Sequence, residues 1–231
     1  MSIQDNLSRV QESIADATLR TGRADGSVRL VAVSKFHPAD AVLEAIQSGQ
    51  RLFGENRVQE AEEKFSGVLV HHPDVQLHMI GSLQRNKVAK ILPVTSCVQS
   101  VDRRELLLEI EKRAALLGKS VDILFEIHTG EESKAGFASE KDLFEAIDLL
   151  AECGHTRCSG LMTMAPFTSD ETNIRASFRK LVNLQYRCQQ EYPALDFSTL
   201  SMGMSNDYRI AIEEGSTMVR IGTAIFGERP V

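Results

Sequence analysis

The 231-residue chain contains no tryptophan, and its four cysteines (Cys97, Cys153, Cys158 and Cys188) form no C-x-x-C pair. That scatter excludes a zinc ribbon or a thioredoxin-like motif and predicts free, largely buried thiols rather than a disulfide framework. The six histidines show no H-E-x-x-H or H-x-H spacing, so no metal site is expected. No apolar run approaches the roughly 18 residues of a membrane span. Positive charge is also short, with 26 Lys+Arg against 32 Asp+Glu and a net charge of −6. Nucleic-acid binding through clustered cations is therefore not expected. Met1–Asp5 lacks a basic stretch leading into an apolar segment, so no secretory signal is read and a cytoplasmic location is expected.

What the chain does have is the 42% hydrophobic and 25% charged composition of an ordinary globular protein, and a regular alternation of elements. A helical apolar spacing over Ile3–Leu19 comes first. β-type runs follow at Val28–Ser34, Arg51–Phe53, Val75–Ile80, Val94–Gln99, Val121–Ile127, Arg157–Met162, Phe197–Leu200 and Thr217–Ile221. Helical stretches separate them: Ala39–Ser48, Val58–Phe65, Leu83–Ile91, Asp102–Leu117, one opening at Ser139, Glu171–Glu191, and one capped by Ser205 and closed by Gly215. No linker or repeat divides the chain, which reads as one domain over 1–231. Eight β-α couplets without hairpin signals predict an α/β fold, a single parallel (β/α)₈ barrel with an extra N-terminal helix. An open doubly wound sheet is the alternative, but no G-x-G-x-x-G follows the first strand.

In such a barrel the site lies at the C-terminal strand ends, with phosphate commonly held at strands 7 and 8. Strand parity places Lys35 on the same side as Val31 and Val33, at the barrel mouth. A lysine among apolar walls can condense with a carbonyl, although a structural ion pair would use it equally well. On strand 8, Met218, Arg220 and Gly222 share the inward parity, and a buried Arg220 requires a partner. Ser201 and Gly203 on strand 7, with Gly222 and Thr223 on strand 8, are small or hydroxyl-bearing groups able to approach a phosphate. Asn56, His78 and His128 stand at strand ends as further candidates, with helix capping or backbone bonding as their ordinary roles. A lysine facing a phosphate cradle suggests pyridoxal 5′-phosphate (PLP) or a phosphosugar aldehyde.

Val31–Lys35, Phe53–Glu60, His78–Lys87, Gly160–Met164, Leu200–Asp207 and Val219–Gly227 together closely resemble the signatures of the PLP homeostasis proteins, which are related to the N-terminal barrel of alanine racemase. The matches run from about residue 28 to 229. The resemblance implies a fold-type III PLP barrel in which Lys35 holds PLP as a Schiff base. It further implies that Ser201, Gly222 and Thr223 bind the phosphate, that Arg220 faces the pyridine nitrogen, and that Asn56 helps line the pocket; His78, a candidate ligand or base at its strand end, is counted with this cofactor-binding set. The chain departs from the family in reading Leu77 before His78, where Trp is frequent, and His128 where Asn is common.

The implied function is a PLP carrier or regulator, buffering PLP or delivering it to PLP-dependent apoenzymes, as a monomer and without catalysis of its own. Two enzyme readings compete: an amino-acid racemase or decarboxylase on the same barrel, and a Schiff-base aldolase acting on a phosphosugar. Only eight residues follow Thr223, so a second β-domain like that of alanine racemase is not expected, and Tyr186, Tyr192 and Tyr208 all fall away from predicted strand ends.

Overall fold

Residues along each strand alternate between two packing environments, and the alternation builds the molecule. Val31, Val33, Leu52 and Met218 cluster inside a closed barrel with Ile80, and Cys97, Leu124 and Met162 form a second interior cluster with Met164. Their chain neighbours Ala32, Phe53, Val98, Val219 and Ile221 face outward into a continuous layer with helix residues such as Phe65, Ile110 and Phe178. Each large side chain buried there contributes roughly 1.5–3 kcal/mol. The parity assigned to strands 1 and 8 holds.

The computed structural model describes residues 2–130 and 135–228. Eight parallel strands, β1 (Arg29–Val33), β2 (Leu52–Glu55), β3 (Gln76–Met79), β4 (Cys97–Val101), β5 (Val121–Glu126), β6 (Thr156–Met162), β7 (Thr199–Ser201) and β8 (Met218–Ile221), pair in chain order and close β8 onto β1. Helix α1 (Ile3–Arg20) precedes the barrel. After the successive strands come α2 (Ala39–Gln47), α3 (Val58–His71), α4 (Val88–Ile91), α5 (Arg104–Leu117), α6 (Glu140–Asp148), α7 (Glu171–Glu191), α8 (Tyr208–Glu213) and α9 (Thr223–Phe226). The (β/α)₈ barrel with its extra N-terminal helix is thus the fold.

Several boundaries differ from expectation for local reasons. The helix expected over Leu83–Ile91 is a 3₁₀ turn at Arg85–Lys87 running into the single turn of α4, with Pro93 close behind. Ser139 does cap α6, its hydroxyl accepting from the Asp142 N–H. Ser205 does not cap α8, because the helix begins two residues later than expected. Asp207 precedes it, and its Oδ1 instead accepts from the Met204 N–H at 2.5 Å. Helix α9 was not anticipated from sequence.

Helix α1 and the loop that follows it are tied to α8, α9 and the turn before β8. Asn6 Nδ2 donates to the Ile225 carbonyl at 3.0 Å, the Tyr208 hydroxyl bonds Ser13 Oγ at 2.8 Å, and Arg23 donates to the carbonyls of Ile212 and Ser216. Among the described residues no helix is long and apolar enough to cross a membrane, and no group of three or more His, Cys, Asp or Glu is placed to hold a metal. The four cysteines are free thiols, three of them buried.

Candidate functional site

A cavity of about 500 Å³ opens at the C-terminal ends of the strands, and Lys35, Asn56, Arg220, Gly222 and Thr223 all line it. Five residues scattered over the sequence therefore meet at one place. His78 and Ser201 do not line it; both are buried within the barrel.

Lys35 follows directly on β1, and the chain there is held from behind. Ser34 Oγ donates to Glu55 Oε1 at 2.7 Å, and Lys64 Nζ donates both to the same Glu55 oxygen, at 2.7 Å, and to the Ser34 carbonyl, at 2.9 Å. On the other side of Lys35, Phe36 adopts φ +68°, a left-handed conformation that a bulky residue holds only under constraint. Its N–H donates to Glu60 Oε2 at 3.0 Å, and the Arg57 guanidinium lies 5.0 Å from its ring centroid. The tight reversal places His37 in the same cavity as Lys35, against the Phe226 ring. Burial, with the Lys64 charge, holds the His37 imidazole below its ordinary pKa.

Arg220 is 4% exposed, and its partners are mostly neutral: Nη1 donates to the Ser201 carbonyl at 2.8 Å and to Ser201 Oγ at 2.7 Å, and Nη2 to the Thr163 carbonyl at 2.8 Å. Burial lowers its pKa to about 10, against the charges of Glu126 and Asp207, so the guanidinium stays protonated at neutral pH. Glu126, at the end of β5, and Asp207 also line the cavity.

Beside Arg220 the backbone turns into α9. A Cβ on Gly222 would lie 3.0 Å from the Val33 carbonyl oxygen, so glycine lets the end of β8 press against β1 at the cavity wall. Gly203 has a different reason to be glycine. At φ +98° its missing Cβ would strike Ala211 at 2.6 Å, so it serves the packing of α8 and does not line the cavity. Asn56 carries the clearest mark of a ligand. Its Oδ1 is a buried oxygen with no hydrogen-bond partner, and an acceptor left that way costs about 1–3 kcal/mol until something donates to it.

His78 and Ser201 belong to a buried chain of bonds. Gln99 Nε2 donates to His78 Nδ1 at 2.8 Å, and Ser201 Oγ donates to Gln99 Oε1 at 2.6 Å. Burial, assisted by the Arg29 charge, pushes the His78 imidazole down to about 3, so it is neutral. His128 is outside the cavity as well, its carbonyl accepting from Lys180. Lys134, a conceivable second amine, lies outside the described residues.

The sequence reading missed His37, Glu126, Ser205 and Asn206, all of which line the cavity. Inward parity on β5, shared with Leu124, was a usable signal for Glu126. Ser205 and Asn206 sit in the loop after β7, where a phosphate is expected, but the sequence pattern marks Ser205 as a helix cap.

These residues fit PLP. Lys35 offers a primary amine for the aldehyde and Arg220 a cation for the ring. The Gly222–Thr223 turn with Ser205 and Asn206 offers backbone and hydroxyl groups for the phosphate, and Asn56 adds a side-chain amide able to donate to the cofactor's oxygens.

Fold and site together define a lysine-bearing parallel barrel of the kind that forms the alanine racemase N-terminal domain, and that family's model matches residues 4–230. The chain belongs, within it, to the family of pyridoxal phosphate homeostasis proteins. It is 42% identical to the pyridoxal phosphate homeostasis protein of Vibrio cholerae over 99% of this chain and 97% of that one. The structure of PipY from Synechococcus elongatus with PLP bound superposes with a TM-score of 0.86 at 34% identity, covering 98% of this chain and 100% of that one. Alanine racemase from Clostridium difficile shares the fold, with a TM-score of 0.77 at 15% identity, 98% of this chain matching 58% of that one.

Proposed function

We propose that this protein binds PLP in the barrel-mouth cavity, joined through Lys35, and that it buffers the cofactor or delivers it to PLP-dependent enzymes without a catalytic cycle of its own. It acts in this reading as a single barrel domain over 1–231, monomeric and cytoplasmic. The observation that carries the reading is the convergence of Lys35, Arg220, the Gly222–Thr223 turn and the unpartnered Asn56 oxygen on one cavity. The relatives named for PLP homeostasis and the PLP-bound PipY structure support the choice of ligand over a phosphosugar.

PLP supplies an aldehyde that condenses reversibly with a primary amine. The chain's own residues orient that exchange. Ser34, Glu55 and Lys64 fix the strand end from which Lys35 projects, and Arg220 keeps a positive charge at the cavity. No tyrosine reaches the site: the Tyr208 hydroxyl bonds Ser13, that of Tyr192 bonds Asp148 at 2.9 Å, and Tyr186 is exposed. This favours a carrier over a racemase that would use a tyrosine as its second acid or base.

The test is the visible spectrum of the purified protein after incubation with PLP, followed by borohydride reduction and peptide mapping. A band near about 420 nm, a property of the cofactor's imine chemistry, with the label on Lys35, is the expected result. A protein that stays colourless overturns the reading.

A further inference from the structure

Inside the barrel, four side chains from four strands form one continuous chain of hydrogen bonds: Arg220 on β8, Ser201 on β7, Gln99 on β4 and His78 on β3. The three links measure 2.7, 2.6 and 2.8 Å, and all four residues are buried. The chemistry of the members sets the direction of every bond. A guanidinium only donates, so Ser201 Oγ accepts from Arg220. The single hydroxyl proton then goes to the amide oxygen of Gln99, and the amide nitrogen donates to His78 Nδ1, with the Met218 sulfur 3.2 Å from the same nitrogen. Reversing the amide would turn an N–H onto the hydroxyl that Arg220 already engages and strand the hydroxyl proton. The His78 proton is thereby assigned to Nε2.

All the dipoles in this chain turn their negative ends toward Arg220. Aligned bonds of this sort polarise one another and solvate a buried cation without neutralising it. The Ser201 hydroxyl, its proton directed to Gln99, is also withdrawn from any phosphate.

We infer that Gln99 is a positioning residue for the cofactor: by holding the Ser201 hydroxyl and neutral His78 in this order, it presents Arg220 to the ring of bound PLP as a fixed cation with no carboxylate in the chain behind it, the carboxylates of Glu126 and Asp207 lying instead in the cavity lining. The inference rests on the PLP reading of the cavity. A glutamate of the same size at position 99 would place an anion between His78 and Ser201, draw a proton onto His78 and offset the charge of Arg220. A methionine would break the chain without adding charge.

The test has two arms. In the first, ¹⁵N NMR of the ligand-free wild-type protein reads the His78 ring directly. A lone-pair signal at Nδ1 and a protonated signal at Nε2 are expected, unchanged on acidification to about pH 5, because the imidazole is held well below its usual pKa. Gln99→Glu should turn this ring into the doubly protonated form at neutral pH. A protonated Nδ1 in the wild type overturns the inference whatever the variants do.

In the second arm, wild type, Gln99→Glu and Gln99→Met are titrated with PLP while the visible band is followed against pH. Gln99→Glu should move the midpoint of the band's pH titration upward by about one unit, the scale of a nearby charge. Gln99→Met should weaken PLP binding about tenfold, the worth of one hydrogen bond, with little movement of the midpoint. Gln84→Glu, on the exposed turn before α4, is the control and should change neither. Wild-type binding and an unmoved midpoint in both Gln99 variants would overturn the positioning role while leaving the PLP reading intact. A wild-type protein that shows the expected NMR pattern but takes up no PLP would overturn the PLP reading, and with it any role of Gln99 toward a cofactor, while leaving the hydrogen-bond order standing.

Discussion

Lys64 and Glu55 form a 2.7 Å ion pair with side chains only 8% and 0% exposed, and the same ammonium holds the carbonyl of Ser34, the residue before Lys35. Removing one member of such a pair leaves the other buried and uncompensated. Lys64→Met should therefore lower the folding free energy by about 3–5 kcal/mol, and it should also blunt PLP capture by loosening the end of β1. The pH dependence has a definite sign. Burial already raises the Glu55 pKa, against the opposing pull of Lys64 and Ser34. Without Lys64 it rises further, so the folded state binds a proton that the unfolded chain releases. Stability is then present at low pH and lost as pH rises through the folded pKa. The melting temperature of Lys64→Met should approach that of the wild type on acidification, and Glu55→Gln/Lys64→Met should recover part of the loss at neutral pH. A deficit independent of pH would refute the account.

Asn56 sets stability against binding. Its buried Oδ1 has no partner in the ligand-free protein, so the isosteric Asn56→Leu should leave the ligand-free barrel as stable as wild type or more so, by up to about 1 kcal/mol. PLP affinity should fall in the same variant. Calorimetry with and without PLP reads both effects, and a variant that binds PLP as wild type would remove Asn56 from the site.

The turn after β8 offers a steric and a polar test. A methyl at Gly222 would press on the Val33 carbonyl at 3.0 Å and narrow the cavity beside Arg220. Gly222→Ala should weaken PLP binding about tenfold or more, through a backbone shift of the kind that overpacking forces. Thr223→Ala removes only a hydroxyl and should cost roughly 1–2 kcal/mol of affinity, the scale of a hydrogen bond to a charged group. Unchanged affinity in both variants would place the phosphate elsewhere.

Lys35 faces the cavity rather than the core, so Lys35→Ala should fold normally and lose the imine band, while retaining weak PLP binding through the rest of the cavity. Circular dichroism and a PLP titration check both parts. A wild-type band in this variant would point to another amine, with Lys87 and Lys134 the first to map.

The contrast between Lys35 and Ser201 shows what a sequence of this kind discloses. Both carry the correct inward parity, because a period of two is a local property of the chain. Parity says which side of a strand a residue takes, not how far it stands below the mouth. Depth depends on how neighbouring strands are staggered, and β7 meets β8 in register only at Ser201 and Met218. Ser201 is buried outside the cavity lining, and its hydroxyl donates to Gln99, 102 residues away. No local pattern announces such a pairing. The short α9 and the Met204–Asp207 loop were hidden for a related reason: one turn of helix carries too little periodicity to read. Glu126, by contrast, is legible by parity, since it shares the side of Leu124 on β5.

The charge of Arg220 bears on catalysis. Amino-acid chemistry on PLP depends on the ring drawing in electrons as the α-proton leaves, and protonation of the ring nitrogen strengthens that draw. Arg220 lies at the cavity, remains protonated at neutral pH, and cannot accept the ring proton. Its positive charge opposes protonation of a ring nitrogen placed beside it. A racemase can offset this handicap with a second, well-placed base. No tyrosine lines the cavity here, but His37 does, and its lowered pKa keeps it neutral and able to take a proton at pH 7. The expectation is that PLP-loaded protein exchanges the α-proton of L-alanine, L-serine or L-lysine only slowly in D₂O. NMR should show rates far below the roughly 1 s⁻¹ at which ordinary enzymes begin. Exchange at that rate or faster would make the protein an enzyme. Its loss in His37→Asn, with PLP binding retained, would then name the base, whereas slow exchange unaltered by His37→Asn leaves Arg220 as the reason the bound cofactor is kept rather than used.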